Sequence, residues 1–125
     1  MITFSLSSLY LCGRQEKPFN PLLGETSQGS FVDGSRYFCE HTSHHPPRTH
    51  FLVDHPDKLW RLSGHYECFG KVGWNDLKSG FRGPNRVKFG DGGEITFNTV
   101  DFKIGGMVKG ERSIRAYGSI VYEDV

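Results

Sequence analysis

The densest concentration of reactive side chains lies at residues 38–51, FCEHTSHHPPRTHF. This stretch holds four of the six histidines, His41, His44, His45 and His50, with Cys39 and Glu40 beside them. Imidazole nitrogen, thiolate sulfur and carboxylate oxygen are all zinc ligands, so one chemistry is metal binding. Against it, adjacent His44 and His45 on an extended backbone project to opposite sides, and no HExxH or paired CxxC spacing is present. A second chemistry is hydrolytic, with a histidine as general base and Cys39 as nucleophile; the sequence supplies no orienting acid or oxyanion donors. A third is anion capture. Imidazoles change charge near neutral pH and donate to phosphate oxygens, Pro46-Pro47 stiffens the chain beyond them, and Lys17 adds a point charge. Histidines beside a Pro-Pro turn also occur on surfaces without function, so residue type alone leaves four readings open.

These side chains need elements to hold them. Lys17 and Asn20 each precede a proline in RQEKPFNPLLGET, and a residue before proline is biased toward extended conformations. Upstream, Ile2, Leu6, Leu9 and Tyr10 fit one face of a short N-terminal helix ended by Gly13. From Phe31 onward the pattern is strand. Trp60, Leu62, Tyr66 and Cys68 alternate with Arg61, Ser63, His65 and Glu67, which is period two. Further strands are expected at 36–43, 49–53, 87–89, 94–98, 102–108 and 113–122. Asp33-Gly34, Asp91-Gly92-Gly93 and Lys109-Gly110-Glu111 read as hairpin turns between them. There is no βαβ rhythm, no internal repeat and no low-complexity tract. The fold class is mainly β, an antiparallel meander.

Composition bounds the rest. With 125 residues there is room for one domain that buries a modest core. Fifteen Lys+Arg against fourteen Asp+Glu give a formal charge of +1, so no global basic field points to nucleic acid. Ten phenylalanines argue against disorder, and sixteen glycines favour turn-rich β structure. Cys12, Cys39 and Cys68 are an odd number without CxxC spacing, which favours a reduced, cytoplasmic setting with the cysteines as small buried hydrophobes. The opening MITFSLSSLYLC is too short and too polar to span a bilayer and lacks the basic start of a signal peptide. Trp60 and Trp74 are expected in the core or wall, with lipid-interface anchors as the alternative, and Leu22 and Leu23 beneath the anion-binding loop; Lys71, Lys78, Arg82, Arg86 and Lys88 are expected on a solvated face, with a membrane-facing basic patch as the alternative.

Two blocks carry a family resemblance. KPFNPLLGE at 17–25 and CEHTSHHPP at 39–47 resemble the lipid-binding domain of the oxysterol-binding protein family, whose fingerprint is written EQVSHHPP. Glu40, Ser43, His44, His45, Pro46 and Pro47 match that fingerprint, while His41 and Thr42 stand where Gln and Val are usual. The resemblance implies part of a large antiparallel β-barrel around an apolar tunnel. A sterol or phosphatidylserine fills such a tunnel, and phosphatidylinositol 4-phosphate is the exchange ligand. It implies Lys17, Asn20, His44 and His45 as the phosphoinositide head-group ligands. It further implies non-vesicular lipid transfer without catalysis, metal or cofactor, by a cytoplasmic protein peripheral at organelle membranes. Residues 1–125 would then be a partial domain without the lid or the later barrel strands. Such a part is expected to self-associate. A non-transporting lipid sensor or scaffold is the alternative, and a His-cluster metal-dependent hydrolase the more distant one.

Overall fold

Residues 19–125 are described by the computed structural model, and all of their regular structure is strand. The expected N-terminal helix, Cys12 and Lys17 lie outside the described residues. Ten strands form one antiparallel sheet. β1 (Thr26–Ser30), β2 (Arg36–His44), β3 (Pro47–Asp54) and β4 (Trp60–Val72) follow one another as hairpins. β4, at thirteen residues, then serves two partners on one edge. Its Glu67–Val72 half pairs with β5 (Asp76–Arg82), and its Trp60–Gly64 half with β6 (Asn85–Phe89).

The remaining strands repeat that division. β7 (Glu94–Phe97) pairs with β6 and β8 (Asp101–Gly105) with β5; β10 (Tyr122–Asp124) pairs with β7 and β9 (Ser113–Tyr117) with β8. Each successive pair is one long path broken at its middle, at Gly83-Pro84, at residues 98–100 and at residues 118–121. The expected strand over 113–122 is therefore two strands. The alternation of Ile114, Ala116 and Ile120 continues across a break where Gly118 has φ +97°, a conformation that glycine adopts without steric cost. Likewise the strand expected over 102–108 ends at Gly105, because Gly106 turns at φ +71°. β1 and β5 were not expected from pattern. The hairpin turns at Asp33-Gly34, Asp91-Gly92-Gly93 and Lys109-Gly110-Glu111 fall where the sequence places them.

Register decides what each face carries. Cross-strand partners share a face, so Val53, Leu62, Val87 and Ile95 align in one row, and Phe51, Gly64, Asn85 and Phe97 in the next. Leu62, Val87 and Phe97 are buried, with Phe51, Val53, Trp60, Ile120 and Tyr122 packed on them. Trp60 is thus a core-side residue, as its alternation implies. Gly64 is required where it stands: a Cβ there would meet the Pro84 carbonyl oxygen at 2.7 Å and the Phe51 ring at 3.0 Å. The opposite face carries ion pairs, among them Arg61–Asp54, Arg86–Glu94 and Lys88–Glu94. Strand alternation puts the β2–β3, β4–β5 and β8–β9 turns at one end of the sheet and the β1–β2, β3–β4 and β6–β7 turns at the other.

Candidate functional site

The β2–β3 hairpin turns through His45 and Pro46, with a cis peptide between them, and pairs His44 with Pro47. A bulge precedes the turn. His41 pairs with Thr49 and Ser43 with Arg48, which leaves Thr42 as the extra residue. Bulges re-aim side chains, and here the imidazoles converge. His41 and His44 have ring centroids 5.5 Å apart at 90°, and His44 and His45 have centroids 5.2 Å apart at 78°. The opposed projection expected for His44 and His45 is corrected, because His45 belongs to the turn and not to an extended strand.

His41 anchors the group. It is only 3% exposed. Its Nδ1 lies 3.0 Å from Thr49 Oγ1 and its Nε2 3.3 Å from His44 Nδ1. His44 and His45 are exposed. Thr42, on the bulge, places its Oγ1 2.8 Å from His50 Nδ1, and His50 packs on His65 with ring centroids 5.1 Å apart. His50 therefore belongs to a second pair and not to the His41–His44–His45 group.

The first sequence block meets the second at the same residue. The Gly24 N–H donates to the His41 carbonyl (2.8 Å), and the His41 N–H donates to the Glu25 carbonyl (2.9 Å). PLLGE itself is a tight turn. The Glu25 N–H donates to the Leu22 carbonyl (2.9 Å), and the Glu25 carboxylate accepts from the Leu22 N–H (2.7 Å). Gly24 supplies the φ of +79° that the third position of such a turn requires. Asn20, exposed and two residues before Leu22, is carried on this docked segment. Leu22 and Leu23, expected beneath the loop, are instead 74% and 67% exposed.

Burial pushes the Cys39 thiol up from its ordinary range, the reverse of what activates a nucleophilic thiolate. Cys68 is exposed, which corrects its expected burial. Among the described residues no group of three or more His, Cys, Asp or Glu is placed to hold a metal ion. What the arrangement offers is a cluster of N–H donors at an exposed hairpin end. The sequence singled out His44 and His45 as anion ligands, offered His41 only as a possible metal ligand and did not single out Thr49; the His41–Thr49 contact arises from cross-strand register.

Comparison with known proteins gives concordant results. The family model described as oxysterol-binding protein matches residues 1–124. Oxysterol-binding protein 9 of Dictyostelium discoideum is 36% identical over 122 residues, which cover 98% of this chain and 28% of that protein. Oxysterol-binding protein-related protein 1D of Arabidopsis thaliana is 34% identical over 110 residues, covering 86% of this chain and 13% of that protein. Among solved structures, the Osh3 ORD of Saccharomyces cerevisiae in complex with PI(4)P superposes with a TM-score of 0.79 at 27% identity, covering 86% of this chain and 29% of that one. The Osh1 ORD domain in complex with cholesterol gives 0.80 at 25% identity, covering 97% and 33%. The chain spans under a third of the length of each of these.

Proposed function

Because this chain belongs to the oxysterol-binding protein family, we propose that it supplies the head-group-binding part of a lipid-binding domain. In this reading Lys17, Asn20, His44 and His45 bind the phosphates of phosphatidylinositol 4-phosphate. The apolar ligand is a sterol or phosphatidylserine, and the activity is non-vesicular lipid transfer at the cytoplasmic surface of organelle membranes. The relatives' co-crystallised ligands, PI(4)P and cholesterol, support the ligand classes. Residues 1–125 act as one portion of that domain.

The observation that carries the reading is the junction at His41. Backbone pairing of Gly24 and Glu25 with His41 docks the segment bearing Asn20 beside the hairpin bearing His44 and His45. Residues 24 and 25 of the first block and His41 of the second meet there. Imidazolium and amide N–H groups donate to phosphate oxygens, and charge-assisted bonds of this kind are the stronger ones.

The test compares binding to phosphatidylcholine vesicles with and without phosphatidylinositol 4-phosphate. Replacing His44 and His45 together by Ala should remove the phosphoinositide-dependent increment. At about 1.5–3 kcal/mol for each charge-assisted bond, the loss is on the order of a hundredfold or more. An unchanged increment in a folded double variant would refute the assignment.

A further inference from the structure

Two hairpin turns at the sheet end that carries His44 and His45 are clamped together by one side chain. Asn75, in the β4–β5 turn, accepts at Oδ1 from the N–H groups of Val108 and Lys109 in the β8–β9 turn, both at 2.9 Å. Its Nδ2 donates to the Lys109 carbonyl (2.8 Å), and its own carbonyl accepts from the Met107 N–H (3.2 Å). Around this clamp large apolar side chains face water. Trp74 is 82% exposed, Val72 85% and Val108 76%, with Met107 beside them at 41%. The expectation that Trp74 lies in the core or wall is therefore corrected. Val108, whose apolarity suggested a continuing strand, stands on a turn.

A basic row adjoins the tip. Register sets Lys71 opposite Lys78, Lys78 opposite Lys103 and Lys103 opposite Arg115, across β4, β5, β8 and β9. Cross-strand partners share a face, and like charges placed directly opposite one another destabilise a sheet. Lys103 is paired with Asp76 at 2.8 Å; Lys71, Lys78 and Arg115 have no acidic partner among the described residues. By contrast Arg82, Arg86 and Lys88, from the same expected solvated series, are neutralised by Asp101 and Glu94. The row is thus an unbalanced charge that the fold carries at some cost, beside an apolar tip that it also leaves uncovered.

Apolar side chains with an indole among them, flanked by lysine and arginine, match one surface well. Tryptophan partitions to the head-group level of a bilayer, and basic residues near an anionic leaflet are attracted to its head groups. We infer that the two-turn tip docks on an anionic bilayer, with Trp74, Val72, Val108 and Met107 entering the interface. Lys71, Lys78, Lys103 and Arg115 then lie against the anionic head groups. Docking through the tip brings the His44–His45 end of the sheet to the membrane, yet it needs no phosphoinositide and does not depend on that site.

The experiment uses the 125-residue chain carrying Trp60→Phe, so that Trp74 is the single indole. Flotation with phosphatidylcholine vesicles, with and without phosphatidylserine, should show binding that needs phosphatidylserine and weakens with salt. Trp74 emission should shift to the blue on binding and be quenched by brominated acyl chains. Trp74→Ser and Val108→Ser should each weaken binding, the first by about tenfold or more. Lys78→Gln and Arg115→Gln should cost about fivefold per charge. Trp74→Ser should keep the phosphatidylinositol 4-phosphate-dependent increment on vesicles without phosphatidylserine, which separates failure of the tip from failure of the head-group site. No binding to phosphatidylserine vesicles overturns the inference, as does binding without a Trp74 response. Emission already blue before lipid is added, meaning that a second copy covers the tip, overturns it as well. So does retention of single-stranded RNA in preference to vesicles, or full binding by a folded Val108→Ser variant.

Discussion

At the residue scale, the contact between His41 Nε2 and His44 Nδ1 restricts where protons can sit. One ring must donate and the other accept. If His41 Nδ1–H donates to Thr49 Oγ1, His41 Nε2 is left to accept from His44 Nδ1–H, and a protonated His44 then keeps an Nε2–H for an incoming phosphate. This makes His41 a positioning residue behind an exposed donor. His41→Leu should lower phosphatidylinositol 4-phosphate affinity about tenfold through loss of a bond to a charged partner. His41→Gln, which retains a donor and an acceptor, should recover most of it. Titration of vesicle binding by both variants checks the pair, and equal loss in both would reject the relay. The candidate ligands His44 and His45 were legible because they sit in a recognisable block. Their convergence was not, because it depends on the bulge at Thr42 and on pairing of His41 with residues 24 and 25. Neither event leaves a mark on composition or periodicity.

At the scale of elements, the breaks in the last three strand paths need reinforcement across the gap. Arg82, just before Gly83-Pro84, forms a bidentate pair with Asp101, just after residues 98–100, and its guanidinium lies 4.1 Å from the Phe69 ring centroid. The Arg82 hydrogen bonds hold the Asp101 carboxyl below its ordinary range. A carboxylate whose folded pKa is depressed adds stability above its unfolded pKa of about 3.9, and that contribution is lost as pH falls through the folded value. Thermal melts should therefore show the unaltered chain losing more stability than Asp101→Asn below about pH 4. Parallel curves for the two proteins would assign the acid sensitivity elsewhere. In the basic row, Lys78→Thr removes a like-charge pair on each side and introduces a β-branched residue. It should raise stability by a few tenths to about 1 kcal/mol, measured by denaturant midpoint. Strands with clear alternation, such as β4 and β2, were readable from sequence. β1, TSQGS, was not, because as an edge strand it has no apolar face to reveal its period. β5, DLKSGFR, was hidden because Ser79 interrupts the apolar face between Leu77 and Phe81.

At the scale of the whole molecule, one layer of sheet has to find partners for two faces and its free edges. Among the described residues four hydrophobic side chains are buried, Leu62, Val87, Phe97 and Phe102, against sixteen large ones left exposed. The pairing path runs from β1 to β9 without joining those two strands, and β10 pairs only with β7. Among the described residues, β1, β9 and β10 therefore each present an edge without a partner strand, and such edges are templates for another chain. Exposed apolar surface away from the two-turn tip, such as Phe38, Phe81 and Phe89, acts in the same direction. An open sheet also cannot surround a sterol, since enclosure needs a wall that closes on itself. The 125-residue chain is therefore expected to self-associate and to transfer sterol poorly. β9 is the edge to probe: Ala116→Lys adds a charge opposite Phe102, on the face of this five-residue edge strand that Arg115 does not occupy, and inward-pointing charge is a device that natural proteins use to block pairing. Light scattering after size exclusion should show an assembly for the unaltered chain and a shift toward monomer for Ala116→Lys. A monodisperse monomer of the unaltered chain at micromolar concentration, with efficient sterol transfer between vesicles, would defeat both expectations. It would mean that the single layer shields its edges and holds its ligand without a second wall.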